Sequence, residues 1–273
     1  MYEVLDRTIY RFRGADRKKF LNGLVSNDVA GLAPGQGLSA CLLTPKGKLL
    51  ADFELYDRPD YLLALVPRRA ARNFTAAISK RIVLSETKME DITGEYSLFL
   101  VLNAPSAAGD FPYDRFGVPG FFRLIPRGQK ILPEAKPVGV QTIEVLRVEQ
   151  GLPAFGVDMD EDSLPLEARL EDAISFTKGC YMGQETVARI HNLGHVNKIL
   201  VGLKCSGPVA PGSVVFSDGA EVGRATSAAF SPRFGCTLAL ATVKTSHSAP
   251  GTRLIVGSGE GIRAEVVVLP RWS

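Results

Sequence analysis

Beyond Lys198 the apolar positions fall into six short runs: Ile199 to Leu203, Val214 to Phe216, Glu221 to Ala228, Thr237 to Val243, Arg253 to Val256 and Ile262 to Leu269. Pro211-Gly212, Asp218-Gly219, Pro250-Gly251 and Gly257-Ser258-Gly259 punctuate them. Short alternating runs with regular turn signals predict a small antiparallel β-barrel. The chain ahead of Lys198 reads differently. Asp16 to Leu24 predicts a short helix, with Phe20, Leu21 and Leu24 at helical spacing on one side. Ser39 to Leu43 and Lys48 to Tyr56 predict two strands, and Thr44-Pro45-Lys46-Gly47 between them supplies a proline and a glycine for a tight turn. Tyr61 to Val66 makes a third strand, after which Pro67 opens an amphipathic helix to about Lys80. Strands are expected around Arg81 to Leu84 and Tyr96 to Leu102. Asn103 to Pro119, rich in Pro, Gly and Ala, reads as a loop between two subdomains. A helix from Gly139 to Glu149 is ended by Gly151, and Pro153 prevents its continuation.

Strands and helices mixed in this way, with hairpins and little βαβ repetition, favour an α+β class over a doubly wound sheet. The pattern divides the chain into an α+β body over residues 1–195, broken near 103–119, and a C-terminal β-barrel domain over 196–273. A chain of 273 residues with 45% hydrophobic and 22% charged positions can bury real cores in both. A net charge of +3 is too mild to argue for nucleic acid by itself, although Arg11, Arg13, Arg17, Lys18 and Lys19 cluster. No apolar stretch approaches the roughly 20 residues that span a bilayer, so no membrane partner is expected. The N-terminus lacks a basic segment followed by an apolar run, so no signal peptide is expected. Four separated cysteines without a Cys-x-x-Cys pair argue against a zinc ribbon or a local cluster site, and free thiols suggest a cytoplasmic setting.

Among residues that could carry chemistry, Cys180 stands out. It lies between Gly179 and Gly183, beside Lys178, just ahead of a helix start. A thiol near a cation and unpaired helix-start amides ionises more readily, whereas the alternative is a small buried apolar residue between turn glycines. Glu149 sits at the C-terminal end of its helix, where a carboxylate faces the negative pole of the dipole. Either a partner such as Arg147 or exposure explains it, or a ligand with paired N–H donors does. Asp52 shares a strand face with Leu50 and Glu54, while Phe53 points the other way. Asn27 and Asp28 read as turn residues after the first helix. His191 and His195 have a metal-compatible spacing, but Gly194 weakens a helix there and no third ligand is in sight, so no metal site is expected.

The octet Lys178-Gly179-Cys180-Tyr181-Met182-Gly183-Gln184-Glu185 resembles the signature of the folate-binding YgfZ family, relatives of the glycine cleavage T-protein, an aminomethyltransferase. Further blocks resemble that family in the same order: Gly14 to Arg17, Ser26-Asn27-Asp28-Val29, Leu43 to Phe53, Arg147-Val148-Glu149-Gln150-Gly151-Leu152-Pro153, Pro165-Leu166-Glu167 and Gly223-Arg224-Ala225-Thr226-Ser227. The resemblance implies a T-protein-like body followed by a C-terminal antiparallel barrel, around a central cavity for tetrahydrofolate or a derivative. It implies that Glu149 holds the pterin, with Asp52, Asn27 and Arg147 in the cofactor-binding set. It further implies support for iron–sulfur cluster assembly or repair, and for tRNA modification that depends on it, with Cys180 and Lys178 as the functional centre and iron–sulfur client proteins as partners. The aminomethyltransferases carry two adjacent aspartates where this chain has Ala51-Asp52. That departure counts against the alternative, a folate-dependent aminomethyltransferase, and leaves folate binding in place. A third reading is direct tRNA binding by the basic cluster.

Overall fold

The computed structural model describes residues 1–129, 136–194, 196–258 and 261–272. It divides into two compact units, the first formed by Met1–Asp114, Val118–Val138 and Leu170–Arg189, the second by Arg115–Gly117, Gly139–Arg169 and Ile190–Ser273. In chain order the strands and helices are β1 (Tyr2–Glu3), β2 (Arg7–Arg13), α1 (Arg17–Asn22), β3 (Gly37–Leu43), β4 (Leu49–Arg58), β5 (Tyr61–Pro67), α2 (Ala71–Ile82), β6 (Lys88–Asp91), β7 (Tyr96–Leu102), β8 (Phe111–Pro112) and β9 (Gly120–Pro126). They continue with α3 (Val140–Gln150), α4 (Gln184–Leu193), β10 (Lys198–Cys205), β11 (Val214–Ser217), β12 (Ala220–Ser231), β13 (Cys236–Lys244), β14 (Arg253–Val256) and β15 (Ile262–Val267). Helices and strands are mixed as α+β sequences require, and most of the predicted elements recur within a few residues.

The first unit holds two antiparallel sheets, β3-β4-β5-β2-β6 and β1-β7-β9-β8. In β4 the alternation of Leu49, Ala51, Phe53 and Leu55 buries one face, as period-2 patterning demands. Phe74 of α2 packs there, edge-on to Phe53 at 5.2 Å and stacked on Tyr10 at 5.2 Å. Such offset and edge contacts add about 0.5–1.5 kcal/mol each beyond burial.

Two expectations fail here. Pro67 does not open the helix. It closes β5 opposite Arg7 in β2, and its carbonyl accepts the Ala70 N–H in the turn that leads into α2. Arg81 to Leu84 form no strand. Arg81 and Ile82 end α2, and Leu84 is 96% exposed. The strand lies further on, as β6. Residues 103–119 run from β7 to β9, antiparallel partners in one sheet, and carry the short strand β8.

In the second unit α3 starts at Gly139 and ends at Gly151, which takes the left-handed conformation at φ 76°. Its N–H returns to the carbonyls of Arg147 and Val148, the C-terminal cap that glycine favours. A side chain at 151 would also collide with the Trp272 ring, 2.8 Å from where its Cβ would stand. The six C-terminal strands close into an antiparallel barrel in the order β10-β13-β12-β11-β14-β15. Leu203, Val215, Ala239, Ala241 and Val243 are among the side chains that fill it. Val148 of α3 packs with Leu200, Leu238, Leu240 and Leu269 in a separate cluster.

Candidate functional site

In the first unit Lys178 is the centre of a backbone clasp. Its Nζ donates to the carbonyls of Asn22 at 2.6 Å, Val25 at 2.8 Å and Asn27 at 2.8 Å. An ammonium group has three N–H bonds, and all three are taken. The Asn22 carbonyl ends α1, where a cation is favoured. Burial pulls the Lys178 pKa down to about 8, against the pull of the Asp28 charge in the other direction. The ammonium therefore ties the cysteine loop to the segment after α1 instead of standing free as a partner for the Cys180 thiol.

Ser26, Asn27 and Asp28 complete the tie. Ser26 Oγ donates to the Ala173 carbonyl and accepts the Cys41 N–H, while the Ser26 carbonyl accepts the Ser175 N–H. Asn27 spends both amide N–H bonds on the carbonyls of Ser39 and Asp172. Asp28 Oδ1 accepts the N–H groups of Ala30 and Gly31, the turn bonding expected of it. Asn27, named as a cofactor-binding candidate, thus has no side-chain N–H left to give a ligand.

Cys180 is exposed, so the buried-thiol alternative does not hold. Its two glycines differ. Gly183 sits at φ +83°, and a Cβ there would lie 2.6 Å from the Thr44 carbonyl oxygen and 3.1 Å from Gly47 Cα. A Cβ on Gly47, itself at φ +77°, would lie 2.9 Å from Thr186 Cβ. The β3–β4 turn and the start of α4 approach through these two glycines, which explains why both motifs carry them. Gly179 faces open space. Tyr181, beside the thiol, is buried, and burial pushes its phenol up to about 12, with Cys41 adding to the shift. Arg81 reaches Met182 Sδ at 3.1 Å.

Asp52 is half-buried and pairs in register with Cys41 across β3 and β4. Its charge helps raise the pKa of Arg7; burial of Arg7 acts the other way, and Glu54 contributes more than Asp52. Ala51 is fully buried on the opposite side of the strand.

The second unit contains Arg147 and Glu149, two positions apart on α3 with opposite fates. Arg147 Nε and Nη2 grip Glu144 at 2.9 and 2.5 Å. Nη1 donates to the Leu152 carbonyl and to Asp158 Oδ2, each at 2.6 Å, and Nη2 also reaches Ser227 Oγ at 2.6 Å. All five guanidinium N–H bonds are committed to the protein. Asp158 is fully buried and accepts Thr226 Oγ1 and Ser227 Oγ through its other oxygen. Arg147, named as a cofactor-binding candidate, is therefore the hub of a network within the protein. Glu149 is only 5% exposed, which removes exposure as its explanation, and its partner is Ser231 instead of Arg147. Ser231 Oγ donates to Glu149 Oε1. No donor among the described residues takes Oε2.

The sequence blocks contained Ser26, Thr226 and Ser227 without pointing to their roles. Asp158 and Ser231 lie in no block, since a serine before Pro232 reads only as a turn. Of the basic cluster, Arg11 pairs with Glu90 at 2.7 Å, Arg17 donates to the carbonyls of Gly14 and Pro59, and Lys18 binds Asp57 at 2.6 Å. Three of its five cations are thereby engaged, which removes most of the support for direct tRNA binding. His195, half of the His191/His195 pair, lies outside the described residues.

Comparison with known proteins gives this geometry a context. Residues 198–272 match the glycine cleavage T-protein C-terminal barrel domain. The chain superposes on aminomethyltransferase T of the glycine cleavage system from Bartonella henselae with a TM-score of 0.88 and 22% identity, covering 99% of this chain and 85% of that one. The fold is therefore that of the T-protein. A chloroplastic protein of Arabidopsis thaliana, named as a transferase, is 29% identical over 96% of this chain and 69% of its own length. An aminomethyltransferase of Pelodictyon phaeoclathratiforme is 24% identical over 94% of this chain and 82% of its own. A mitochondrial iron–sulfur cluster assembly factor, the IBA57 homolog of Mycosarcoma maydis, is 28% identical over 78% of this chain and 59% of its own. No helix of the described residues is long and apolar enough to cross a membrane.

Proposed function

We propose that this chain is a folate-binding accessory protein of the YgfZ type, supporting iron–sulfur cluster assembly or repair and the tRNA modification that depends on it. The observation that carries the folate part is Glu149. A buried carboxylate at a helix C-terminus is costly unless donors meet it. Ser231 meets one oxygen, and the other, which takes no donor among the described residues and is not enclosed, is open to a donor from a ligand. A pterin edge offers adjacent N–H groups, so the residues fit the ligand, which would supply one-carbon carrier chemistry when bound. Arg147 and Asn27 serve this reading by fixing the chain and not by touching the ligand.

The accessory part rests on Cys180 and Ala51. Cys180 is exposed on a loop that Lys178 anchors, suited to meeting an iron–sulfur client. Ala51 supplies no carboxylate beside Asp52, and its position is buried. The relative named as an iron–sulfur cluster assembly factor supports the same reading. The fold and the relatives named as aminomethyltransferases favour the second reading, a folate-dependent aminomethyltransferase. The cytoplasmic setting expected from the free thiols remains part of the proposal.

The test is complementation. In a strain lacking this protein, the wild-type chain should restore iron–sulfur enzyme activity, and Glu149→Gln and Cys180→Ser should not. Turnover of an aminomethylated lipoyl carrier with tetrahydrofolate, without any effect on cluster enzymes, would establish the second reading instead.

A further inference from the structure

We infer that Ser231 is the positioning residue for Glu149, a role that rests on the folate reading above. The two residues are 82 positions apart, Ser231 ending β12 and Glu149 near the end of α3, and both are buried. The hydrogen bond runs from the Ser231 hydroxyl to the Glu149 carboxylate, and the hydroxyl is held from its other side by the backbone. Ser231 Oγ accepts the Phe234 N–H at 3.1 Å, and the Ser231 carbonyl accepts the Gly235 N–H at 2.9 Å. A hydroxyl has one proton to donate. That proton goes to Glu149 Oε1.

Oε1 is thus held as an acceptor by a residue whose own orientation is locked in a turn. The carboxylate plane is fixed from a second element before any ligand arrives. Recognition of a planar heterocycle through paired N–H groups depends on that plane, and a group held by a supporting hydrogen bond binds better than one free to rotate. Ser231 does not touch the ligand on this account. It acts through Glu149. A serine that merely closed the β12–β13 turn would need only the Phe234 bond.

Tetrahydrofolate titrated calorimetrically into Ser231→Ala, Glu149→Gln and the double variant separates the two roles. Ser231→Ala should bind on the order of tenfold more weakly, the worth of a hydrogen bond to a charged group. Ser231→Thr should restore the affinity, and Ser231→Ala should add nothing once Glu149 is glutamine. If the alanine variant does not fold, Ser231→Thr against its isostere Ser231→Val makes the same comparison. A Ser231→Ala loss that persists in full in the Glu149→Gln background would overturn the assignment. So would wild-type affinity in Ser231→Ala beside weakened binding in Glu149→Gln, an outcome that leaves the folate reading intact. Unchanged affinity in a folded Glu149→Gln variant is a different result, which defeats the folate reading and the Ser231 role together.

Discussion

The Lys178 clasp and the Arg147 hub both close a cation's hydrogen-bonding capacity, but with different acceptors. Lys178 meets three backbone carbonyls, whereas Arg147 meets carboxylates and a hydroxyl as well as one carbonyl. The first needs a particular residue only at 178, because any chain supplies carbonyls. The second needs Glu144, Asp158 and Ser227 as well. The hub is also the drier of the two, with Asp158 fully buried. Two conclusions follow from the contrast. The hub should be the more costly to break, and both cations are bound within the scaffold.

The largest expected effect is at the hub. Asp158→Ala leaves a buried guanidinium short of its counter-charge and should cost about 3–5 kcal/mol, read by chemical denaturation. A loss near that of an exposed ion pair would mean that the network is already solvated. Next comes the glycine contact beside the clasp. Gly183→Ala places a side chain at φ +83°, against the Thr44 carbonyl, and should cost about 1–3 kcal/mol. Gly179→Ala, into open space, should stay within about 0.5 kcal/mol, so equal shifts in melting temperature would erase the distinction drawn between the two glycines.

Lys178→Met removes three donors, and water can replace them at the half-buried Asn22 and Asn27 but not at the fully buried Val25. About 1–2 kcal/mol is expected, with faster alkylation of Cys180 as its loop loosens. The lysine also carries a pH signature. Its pKa is about 8 in the folded protein against 10.5 ordinarily, so between those values the unfolded chain binds more protons. Stability therefore gains from this residue as pH rises through that window. The wild type should gain relative to Lys178→Met between about pH 8 and 10, and a flat difference would count against the buried ammonium. Smallest of all is Cys180→Ser, which should leave stability and folate binding unchanged because the thiol is exposed. A clear drop in either would make Cys180 part of the scaffold.

Much of the fold was legible because its signals are local. The Pro45–Gly47 turn, the six barrel runs with their turn residues and the Gly151 cap each announce a backbone event within a few positions. Where the reading failed, a local signal had two meanings. Pro67 suits a strand end as well as a helix start, and an Ile-Val-Leu run has strand propensity wherever it lies, even where it stays exposed. The candidate site was half legible. Cys180 and Glu149 stand out in the sequence and carry the proposed function. What Arg147, Lys178 and Asn27 do could not be read, because their partners are distant in sequence: 80 residues from Arg147 to Ser227, 156 from Lys178 to Asn22. Ser231 was invisible for the same reason.

The measurement that bears most directly on the central claim is calorimetric titration of the purified chain with reduced tetrahydrofolate, with Glu149→Gln alongside. The account predicts micromolar binding by the wild type, clearly weakened in a variant that melts at the same temperature. No heat and no thermal stabilisation in the wild type, or equal affinity in the two proteins, would contradict it.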